Sequence, residues 1–233
     1  MKKKAVVLLS GGLDSSTCLA IAKAEGFEPL AVTFDYGQRH RVELEAARRV
    51  ADAASVPLMT VRFDMRLWGG SALTSDRIDV PSASEAHGGI PVTYVPARNL
   101  IFLSFGVSYA ETVEARDLYI GVNSLDYSGY PDCRPDFISS FSRTAQLGTK
   151  AVDDGWTFQI HAPLQKLRKN EIIRRGLDLG VDYSLTHSCY APLPDGMPCE
   201  RCESCYLRTR AFEELGLTDP LLEKKRMKLG KKA

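Results

Sequence analysis

Long hydrophobic runs are missing from this 233-residue chain. No apolar stretch approaches the roughly 18 residues of a membrane-spanning helix, so the sequence predicts no membrane partner. The first apolar run covers only 5–9 and is followed by Ser10, so it is too short for the hydrophobic segment of a signal peptide. These two observations predict a cytoplasmic protein.

An excess of charge of either sign is missing as well. The chain has 30 Lys and Arg residues against 29 Asp and Glu residues, which gives a net charge of +1. This balance excludes a general electrostatic attraction to nucleic acid, and we expect no direct nucleic-acid partner. The local exception is 223–232, with six basic residues and one acidic residue. We interpret it as part of a solvated basic tail at 220–233.

The apolar residues that are present follow the alternating pattern of an α/β fold. Predicted strands are 4–9, 29–34, 57–63, 117–121 and 156–160, and predicted helices are 14–25, 40–54, 99–114, 135–149 and 168–179. Strands and helices in alternation indicate a doubly wound parallel sheet, which binds ligands at the carboxyl ends of its strands. We expect this domain at 1–180, followed by a small metal-binding subdomain of helix and loop at 181–219.

The loop after the first predicted strand has the composition of a phosphate-binding site. Residues 10–16 read Ser-Gly-Gly-Leu-Asp-Ser-Ser and lead directly into a predicted helix. Gly11 and Gly12 let the backbone approach an anion closely, and the first N–H groups of the helix add partial positive charge. The segment lacks the Gly-Lys-Ser/Thr of a Walker A loop. It resembles the PP-loop of the N-type ATP pyrophosphatases, which implies use of ATP and an adenine-nucleotide α-hydrolase-like fold.

Polar and aromatic residues follow two further predicted strands. Phe34-Asp-Tyr-Gly-Gln38 comes after the second strand, and the segment 121–134 comes after the strand at 117–121. Because the carboxyl ends of parallel strands share one edge of a sheet, we expect both loops to face the PP-loop across one crevice. Tyr36 and Gln38 suit stacking on a planar base and hydrogen bonds to its edge.

Four of the six cysteines lie within 189–205. These four are Cys189, Cys199, Cys202 and Cys205, with the spacing C-x9-C-x2-C-x2-C. Four thiolates satisfy tetrahedral zinc and leave no open position, so such a site is structural. A [4Fe-4S] cluster takes the same ligands and stays an alternative, and His187 is close enough to replace one of them. Cys18 and Cys133 are predicted to be packing residues.

Five motifs in a fixed order carry a resemblance to a known family. The PP-loop, Phe34–Gln38, Val95-Pro-Ala-Arg-Asn99, Gly129-Tyr-Pro-Asp-Cys-Arg134 and the four-cysteine segment closely resemble the 7-cyano-7-deazaguanine synthase family, over about residues 4–215. Glu200 replaces a usual glycine and His187 a common aromatic residue, but neither change removes a predicted ligand. The resemblance implies a carbon–nitrogen ligase of queuosine biosynthesis, a homodimer that uses ATP, Mg²⁺ and one structural Zn²⁺ per chain.

The resemblance also implies a reaction and a set of site residues. Such enzymes convert 7-carboxy-7-deazaguanine and ammonia to 7-cyano-7-deazaguanine through an adenylated acid and an amide, releasing AMP and pyrophosphate. The residues expected to bind ATP are Leu9, Ser10, Gly11, Gly12, Leu13, Asp14, Ser15 and Ser16. Those expected to act in catalysis are Ser10, Asp14, Ser15 and Lys169. Those expected to contact the substrate are Tyr36, Gln38, Arg98, Asn99 and Asp132. Asp14 orients magnesium or caps the loop, and Lys169 contacts pyrophosphate or is a solvated lysine.

Two other functions stay open at this point. The first is a PP-loop enzyme that modifies tRNA by thiolation or lysine transfer, although such enzymes generally carry an added RNA-binding domain or a catalytic cysteine pair. The second is a binding module in which a zinc knuckle docks nucleic acid or protein and the nucleotide site is vestigial. The intact PP-loop argues against this second function.

Overall fold

The computed structural model describes residues 2–85, 89–125 and 130–230, with the backbone alone for 228–230. The strands are β1 (Lys4–Leu8), β2 (Glu28–Asp35), β3 (Leu58–Arg62), β4 (Asp117–Ile120) and β5 (Gln159–His161). The helices are α1 (Leu13–Ala24), α2 (Val42–Ala53), α3 (Arg98–Thr112), α4 (Pro135–Leu147), α5 (Lys169–Asp178), α6 (Glu203–Glu213) and α7 (Pro220–Gly230). Among the described residues, no helix combines the length and the apolar character that crossing a membrane requires.

The five strands form one parallel sheet with the order β3-β2-β1-β4-β5. β1 lies in the middle, where Val6 is paired with Leu30 of β2 on one side and with Leu118 of β4 on the other. The order of the strands reverses between β1 and β4, and such a switch point opens a crevice at the carboxyl ends of the strands. The predicted doubly wound sheet is therefore confirmed, and the predicted PP-loop lies at its switch point.

The sheet is buried on both faces, as the continuous apolar run of β1 predicts. Val6 and Leu8 of β1 pack in the apolar cluster that includes Leu103 and Val107 of α3. The alternate residues of β1 pack on the other face, in a cluster with Leu19 and Ile21 of α1, Ala47 of α2 and Ile172 of α5. This alternation follows the two-residue period of side chains along a strand. It fixes the carboxyl end of β1, and hence the PP-loop, between two packed layers.

The fifth strand begins later than its apolar pattern predicts. The pattern indicates a strand over 156–160, but β5 is Gln159–His161. The N–H of Trp156 donates to the Ala151 carbonyl at 3.1 Å, and that of Phe158 donates to Oε1 of Gln146 at 3.0 Å. Both groups are satisfied by α4 and the turn that follows it, so this part of the run does not join the sheet, although Phe158 is buried.

The C-terminal segment packs tightly against the sheet domain. Tyr183 and Phe212 belong to the same apolar cluster as α1 and α5. α7 occupies much of the segment that the sequence predicts to be a solvated tail, and its first turn is anchored because Leu221 and Leu222 are buried. Residues 231–233 of that predicted tail lie outside the described residues. The division at 180 and 219 stays a prediction.

Candidate active site

The PP-loop packs directly against the backbone of α2. Gly11 has a φ of +82°, and a Cβ atom at this position would lie 2.3 Å from the nitrogen of Ala47 and 2.4 Å from the carbonyl oxygen of Glu43. Only glycine fits such an approach. Within the loop, the N–H of Ser10 donates to Oγ of Ser15 at 3.2 Å, and the two hydroxyl oxygens are 3.0 Å apart. The loop is therefore held in shape by its own serines and by α2.

The first turn of α1 presents its N-terminus to the switch point of the sheet. Gly12, the N-cap residue, has no side chain to cap the helix, and the N–H of Leu13 donates instead to Oγ of Ser188. Asp14 lies inside the first turn, and its predicted roles in capping or magnesium binding stay predictions. A helix N-terminus at the switch point suits a phosphate group, because its N–H dipoles favour negative charge.

The carboxylate of Asp14 forms an ion pair with Lys169. The ammonium nitrogen lies 2.9 Å from Oδ1 and 2.8 Å from Oδ2, and the lysine side chain is 8% exposed. Lys169 is the first residue of α5, where Glu171 accepts a hydrogen bond from the N–H of Arg168 and so fixes the helix start. Lys169 is therefore no solvated lysine. The pair joins α5 to the PP-loop and sets an ammonium group beside the predicted phosphate site.

A second wall of the site is formed at the end of β2. Gln38 lies there, and its amide group braces the turn: Oε1 accepts the N–H of Tyr36 at 2.8 Å, and Nε2 donates to the carbonyl of Phe34 at 3.1 Å and to Oε1 of Glu43 at 2.9 Å. Both amide hydrogens are thus engaged within the protein. The predicted base contact at Gln38 stays untested, but its hydrogen bonds position the loop and the carboxylate of Glu43.

Burial shapes the electrostatics of this second wall. It raises the pKa of Glu43 to about 7, against the opposing effects of Arg98 and the Gln38 hydrogen bond. Burial likewise raises the pKa of Tyr36 to about 12. The guanidinium of Arg98 donates to the hydroxyl of Tyr36 at 3.4 Å. The cation of Arg98 and the carboxyl group of Glu43, whose ionisation is disfavoured by burial, thus lie in one small region.

Asn99 and Asp132 hold the start of α3. The backbone N–H of Asn99 donates to Oδ2 of Asp132 at 2.9 Å, and its side-chain amide donates to the carbonyl of Asp132 and the sulfur of Cys133, each at 3.3 Å. Ala97, the N-cap of α3, has left-handed backbone geometry with φ +55°. Asp132 therefore lies one layer behind the site as a positioning residue. Gly129 and the rest of 126–129, part of the predicted crevice loop, lie outside the described residues.

These elements enclose one cavity of about 230 Å³. Most of the predicted site residues line it: Leu9, Ser10, Gly12, Leu13, Asp14, Ser15, Tyr36, Gln38, Arg98, Asn99 and Lys169. Gly11, Ser16 and Asp132 are set behind the lining. Glu43, Ser188 and Tyr190 also line the cavity, and no motif of the sequence indicates them. Glu43 was open to prediction, because it lies in the first turn of the helix that follows β2, at the ligand-binding edge.

The four predicted metal ligands come together in the structure. One atom from each of Cys189, Cys199, Cys202 and Cys205 lies within 4.8 Å of all the others. The N–H groups of Cys199 and Cys202 donate to sulfur atoms of the cluster at 3.2 and 3.4 Å. The pKa of Cys202 lies well below its ordinary value because Cys189 and Cys205 donate to its sulfur, whereas the pKa values of those two thiols are raised. A divalent cation would let all four ionise, so the donor set fits zinc.

The two remaining cysteines are packing residues, as the sequence predicts. Cys18 is fully buried on α1, and Cys133 is 5% exposed beside Asn99. Burial raises the pKa of both thiols. Neither is therefore a good nucleophile at neutral pH.

The segment before Cys189 connects the cysteine cluster to the PP-loop. The N–H of His187 donates to the carbonyl of Gly11 at 2.9 Å, and Oγ of Ser188 accepts the N–H of Leu13 at 3.2 Å. The hydroxyl of Ser204 in α6 donates to the carbonyl of Ser188 at 2.6 Å. His187 thus contacts the PP-loop and is not among the clustered donors.

Known proteins similar to this chain show the family to which it belongs. A family model described as "Queuosine biosynthesis protein QueC" matches residues 4–216. A relative from Geobacter sulfurreducens is 60% identical over 95% of this chain and 93% of its own length, and one from Paramagnetospirillum magneticum is 60% identical over 94% and 97%. Both are named 7-cyano-7-deazaguanine synthase.

A solved structure supports the fold at a greater distance. It is a 4-thiouridine synthetase in complex with RNA and bound ATP, 19% identical with a TM-score of 0.50, and the match covers 91% of this chain and 53% of that one. At that identity the likeness shows the fold alone. Taken with the PP-loop at the switch point, the family match and the 60% relatives show that this chain belongs to the 7-cyano-7-deazaguanine synthase family of queuosine biosynthesis.

Proposed function

We propose that this protein converts 7-carboxy-7-deazaguanine and ammonia to 7-cyano-7-deazaguanine at the expense of two ATP molecules. The observation that carries the proposal is the single cavity that joins the PP-loop to the wall of Tyr36, Glu43 and Arg98. Such a cavity brings a nucleotide phosphate and a planar polar ring to one place. The names of the 60% relatives agree with this reaction.

The first ATP serves to make the carboxylate reactive. A carboxylate is a poor electrophile, because ammonia would have to expel an oxide or hydroxide from it. Attack of a carboxylate oxygen on the α-phosphorus forms an acyl adenylate and releases pyrophosphate. Ammonia then adds to the acyl carbon, and AMP leaves with that oxygen to give the amide and a proton. The fixed N–H groups of the PP-loop oppose the negative charge that gathers at the α-phosphate.

The second ATP removes the remaining oxygen. The amide oxygen attacks the α-phosphorus of the new ATP, and pyrophosphate leaves again. Loss of AMP and a proton from the adenylated amide then gives the nitrile. The amide has to stay bound in the cavity while the nucleotides exchange.

Charged residues of the chain have distinct roles in this scheme. Lys169 stabilises the departing pyrophosphate, since its ammonium group forms an ion pair with Asp14 beside the PP-loop. Asp14 holds that ammonium in place and is the carboxylate beside the loop that would bind Mg²⁺. When bound there, Mg²⁺ would supply further neutralisation of the phosphate charges. Zinc at the cysteine cluster is structural in this proposal, because four thiolates leave no open position.

The stoichiometry of the reaction tests the proposal. We expect two AMP and two pyrophosphate per nitrile, and the amide accepted as a substrate that consumes one ATP. Starting from acid labelled with oxygen-18 in both carboxyl positions, the label should appear in both AMP products by mass spectrometry. ADP as a product, or a reaction that stops at the amide, would contradict the proposal.

The same assay separates the alternatives. Pyrophosphate release that depends on tRNA and not on the deazapurine acid would indicate a tRNA-modifying enzyme, and release with neither would indicate a binding module. We further propose a homodimer, on the resemblance alone; light scattering should then give about twice the 25.7 kDa chain mass.

A further inference from the structure

We infer that Glu43 recognises the ring N–H and the exocyclic amino group of a guanine-type base, which are the hydrogen-bond donors along one edge of the substrate ring. Arg98, beside Glu43, donates to the ring carbonyl of the same edge. This inference rests on the proposed function and names the residues that select its substrate. It assigns a specificity role to Glu43 on α2, a residue that no motif singles out.

The inference begins from the acidic residues of the cavity. Among the described residues that line it, Asp14 and Glu43 are the two carboxylates. Asp14 is already paired with Lys169 through both of its oxygens. Glu43 has a neutral partner instead, the amide of Gln38, bound to Oε1 at 2.9 Å. A carboxylate offers about four acceptor positions, so Glu43 keeps most of its capacity for a ligand.

Gln38 fixes the position of this carboxylate. One hydrogen of its amide goes to the Phe34 carbonyl and the other to Glu43, while its oxygen accepts from Tyr36. These bonds tie Gln38 to the end of β2, so the carboxylate of Glu43 is held at a set place in the second wall. A binding group that is held in place before the ligand arrives loses less entropy on binding.

The charges of the second wall match the ring of the proposed substrate. Along one edge, a guanine-type ring presents a carbonyl acceptor, a ring N–H donor and an amino donor. Arg98 offers donors to the first, and the two oxygens of Glu43 offer acceptors to the other two. The corresponding edge of adenine presents a donor where guanine has its carbonyl, so this arrangement favours the deazaguanine over the adenine of ATP.

The same carboxylate also favours one orientation of the substrate. The substrate carries its own carboxylate on the five-membered ring, away from the amino group. A second carboxylate placed beside Glu43 would oppose the ionisation of both groups, so the substrate carboxylate is excluded from the side of Glu43. It is attracted instead to Lys169 and to the N–H groups of the PP-loop, where adenylation takes place.

The test compares 7-carboxy-7-deazaguanine with its analogue that has hydrogen in place of the amino group. A site that hydrogen-bonds such a group commonly rejects the analogue, so we expect the wild type to prefer the amino compound by about 100-fold or more in kcat/KM. Glu43→Gln should reduce this preference to less than about 10-fold, mainly by a higher KM for the amino compound. Calorimetry should show unchanged affinity for α,β-methylene-ATP, a non-hydrolysable analogue.

Matched variants control for the fold. Glu45→Gln changes an exposed glutamate on the same helix and should keep the full preference. Glu43→Asp retains a carboxylate, so it should keep a preference above about 10-fold while its affinity for the amino compound falls. This variant serves as the test if Glu43→Gln does not fold. Retained preference in Glu43→Gln, or an equal loss of affinity for the ATP analogue, overturns the inference.

Binding measurements distinguish this inference from the proposed function. If the wild type binds the acid with a preference that Glu43→Gln loses, yet forms no nitrile, the proposed reaction is wrong and the role of Glu43 stands. If the wild type makes the nitrile but Glu43→Gln keeps the preference, the role of Glu43 is wrong. If the wild type neither binds nor converts the acid, both are overturned.

Discussion

The ion pair between Asp14 and Lys169 is open to direct test at the level of single residues. Asp14→Asn leaves a nearly buried ammonium without its counter-charge beside the PP-loop, so we expect turnover to fall by about 100-fold or more. Stability should fall too, by at most about 3–5 kcal/mol, because breaking a buried pair leaves one charge unpaired. Turnover and urea unfolding measure the two effects.

A double variant separates charge balance from catalysis. Asp14→Asn combined with Lys169→Met removes both charges, so stability should recover while activity stays lost. Turnover of Asp14→Asn within a few-fold of wild type would show that the carboxylate has no part in the reaction.

The raised pKa of Glu43 predicts a pH dependence of stability. Its pKa is about 7 in the folded protein, against an ordinary value of 4.5. The folded protein therefore binds a proton between these values that the unfolded chain has lost, and stability falls as pH rises through this window. Glu43→Gln lacks this loss, so it should gain stability relative to wild type between pH 5 and pH 8, by about 1–3 kcal/mol.

Thermal or urea unfolding at both pH values measures this difference. Arg98 and Tyr36, the charged or titratable groups that face Glu43, do not change protonation between pH 5 and pH 8, so the comparison isolates Glu43. Parallel pH profiles for the two proteins would show that the carboxyl group is not buried as described.

The sequence predicts that a residue belongs to the site only where that residue lies in a recognisable motif. Lys169 and Arg98 were placed correctly at the cavity, since each starts a helix at the ligand-binding edge. The pattern could not show that Gln38 directs its hydrogen bonds to the backbone and to Glu43, or that Asp132 lies behind the wall. Glu43 lies at the ligand-binding edge, but the apolar face of α2 gives no sign that its side chain lines the cavity. Hydrogen-bond partners depend on distances that no sequence spacing fixes.

At the scale of elements, the contact between the PP-loop and α2 predicts the effect of one methyl group. Gly11→Ala introduces a Cβ 2.3 Å from the backbone of Ala47 at a φ of +82°, and backbone cannot move aside. We expect loss of ATP binding and a loss of stability above about 3 kcal/mol, since overpacking adds to the conformational cost. Calorimetry with α,β-methylene-ATP and urea unfolding measure both.

Gly26→Ala is the matched control. Gly26 has a φ of +88°, and a Cβ atom added there would have no other described atom within 4 Å. This substitution therefore bears the conformational cost alone, about 1 kcal/mol. Equal effects of the two substitutions would show that the close contact with α2 is not needed.

Helices and buried strands were predicted well where their periodicity is sustained. All five helices from α1 to α5 begin and end within two residues of the predicted limits, because turn or strand patterns bound each of them on both sides. The C-terminal helices had no such signal. Among the residues of α7 whose burial is described, 220–227, Leu221 and Leu222 are the buried ones, so the composition of this segment indicates a tail while the packing of its first turn makes it part of the fold.

At the scale of the whole molecule, the cysteine cluster predicts that metal and stability are linked. Cys202→Ala removes one of four converging ligands, so zinc should fall well below one per chain and the melting temperature should fall. Elemental analysis and thermal unfolding measure this. Cys18→Ala, which removes a buried cysteine outside the cluster, should keep about one zinc. Iron in place of zinc, or full stability of the metal-free Cys202→Ala protein, would contradict a structural zinc site.

Contacts across the predicted boundary near 180 were the feature least accessible to prediction. The sequence suggests this boundary because the α/β pattern gives way there to cysteines and prolines. In the structure, the buried hydroxyl of Tyr183 lies 2.7 Å from the hydroxyl of Thr17 in α1, 166 positions earlier in the chain. Contacts between residues so far apart produce no periodic pattern in the sequence.

The bond between Leu13 and Ser188 also has a consequence for how the protein is made. The two residues are 175 positions apart in the chain. At about 5–20 residues per second, a ribosome delivers the second roughly 9–35 s after the first. The nucleotide site is thus begun by residues that are synthesised well before those that complete it, so a nascent chain stalled before Ser188 has a PP-loop but lacks this hydrogen bond to it.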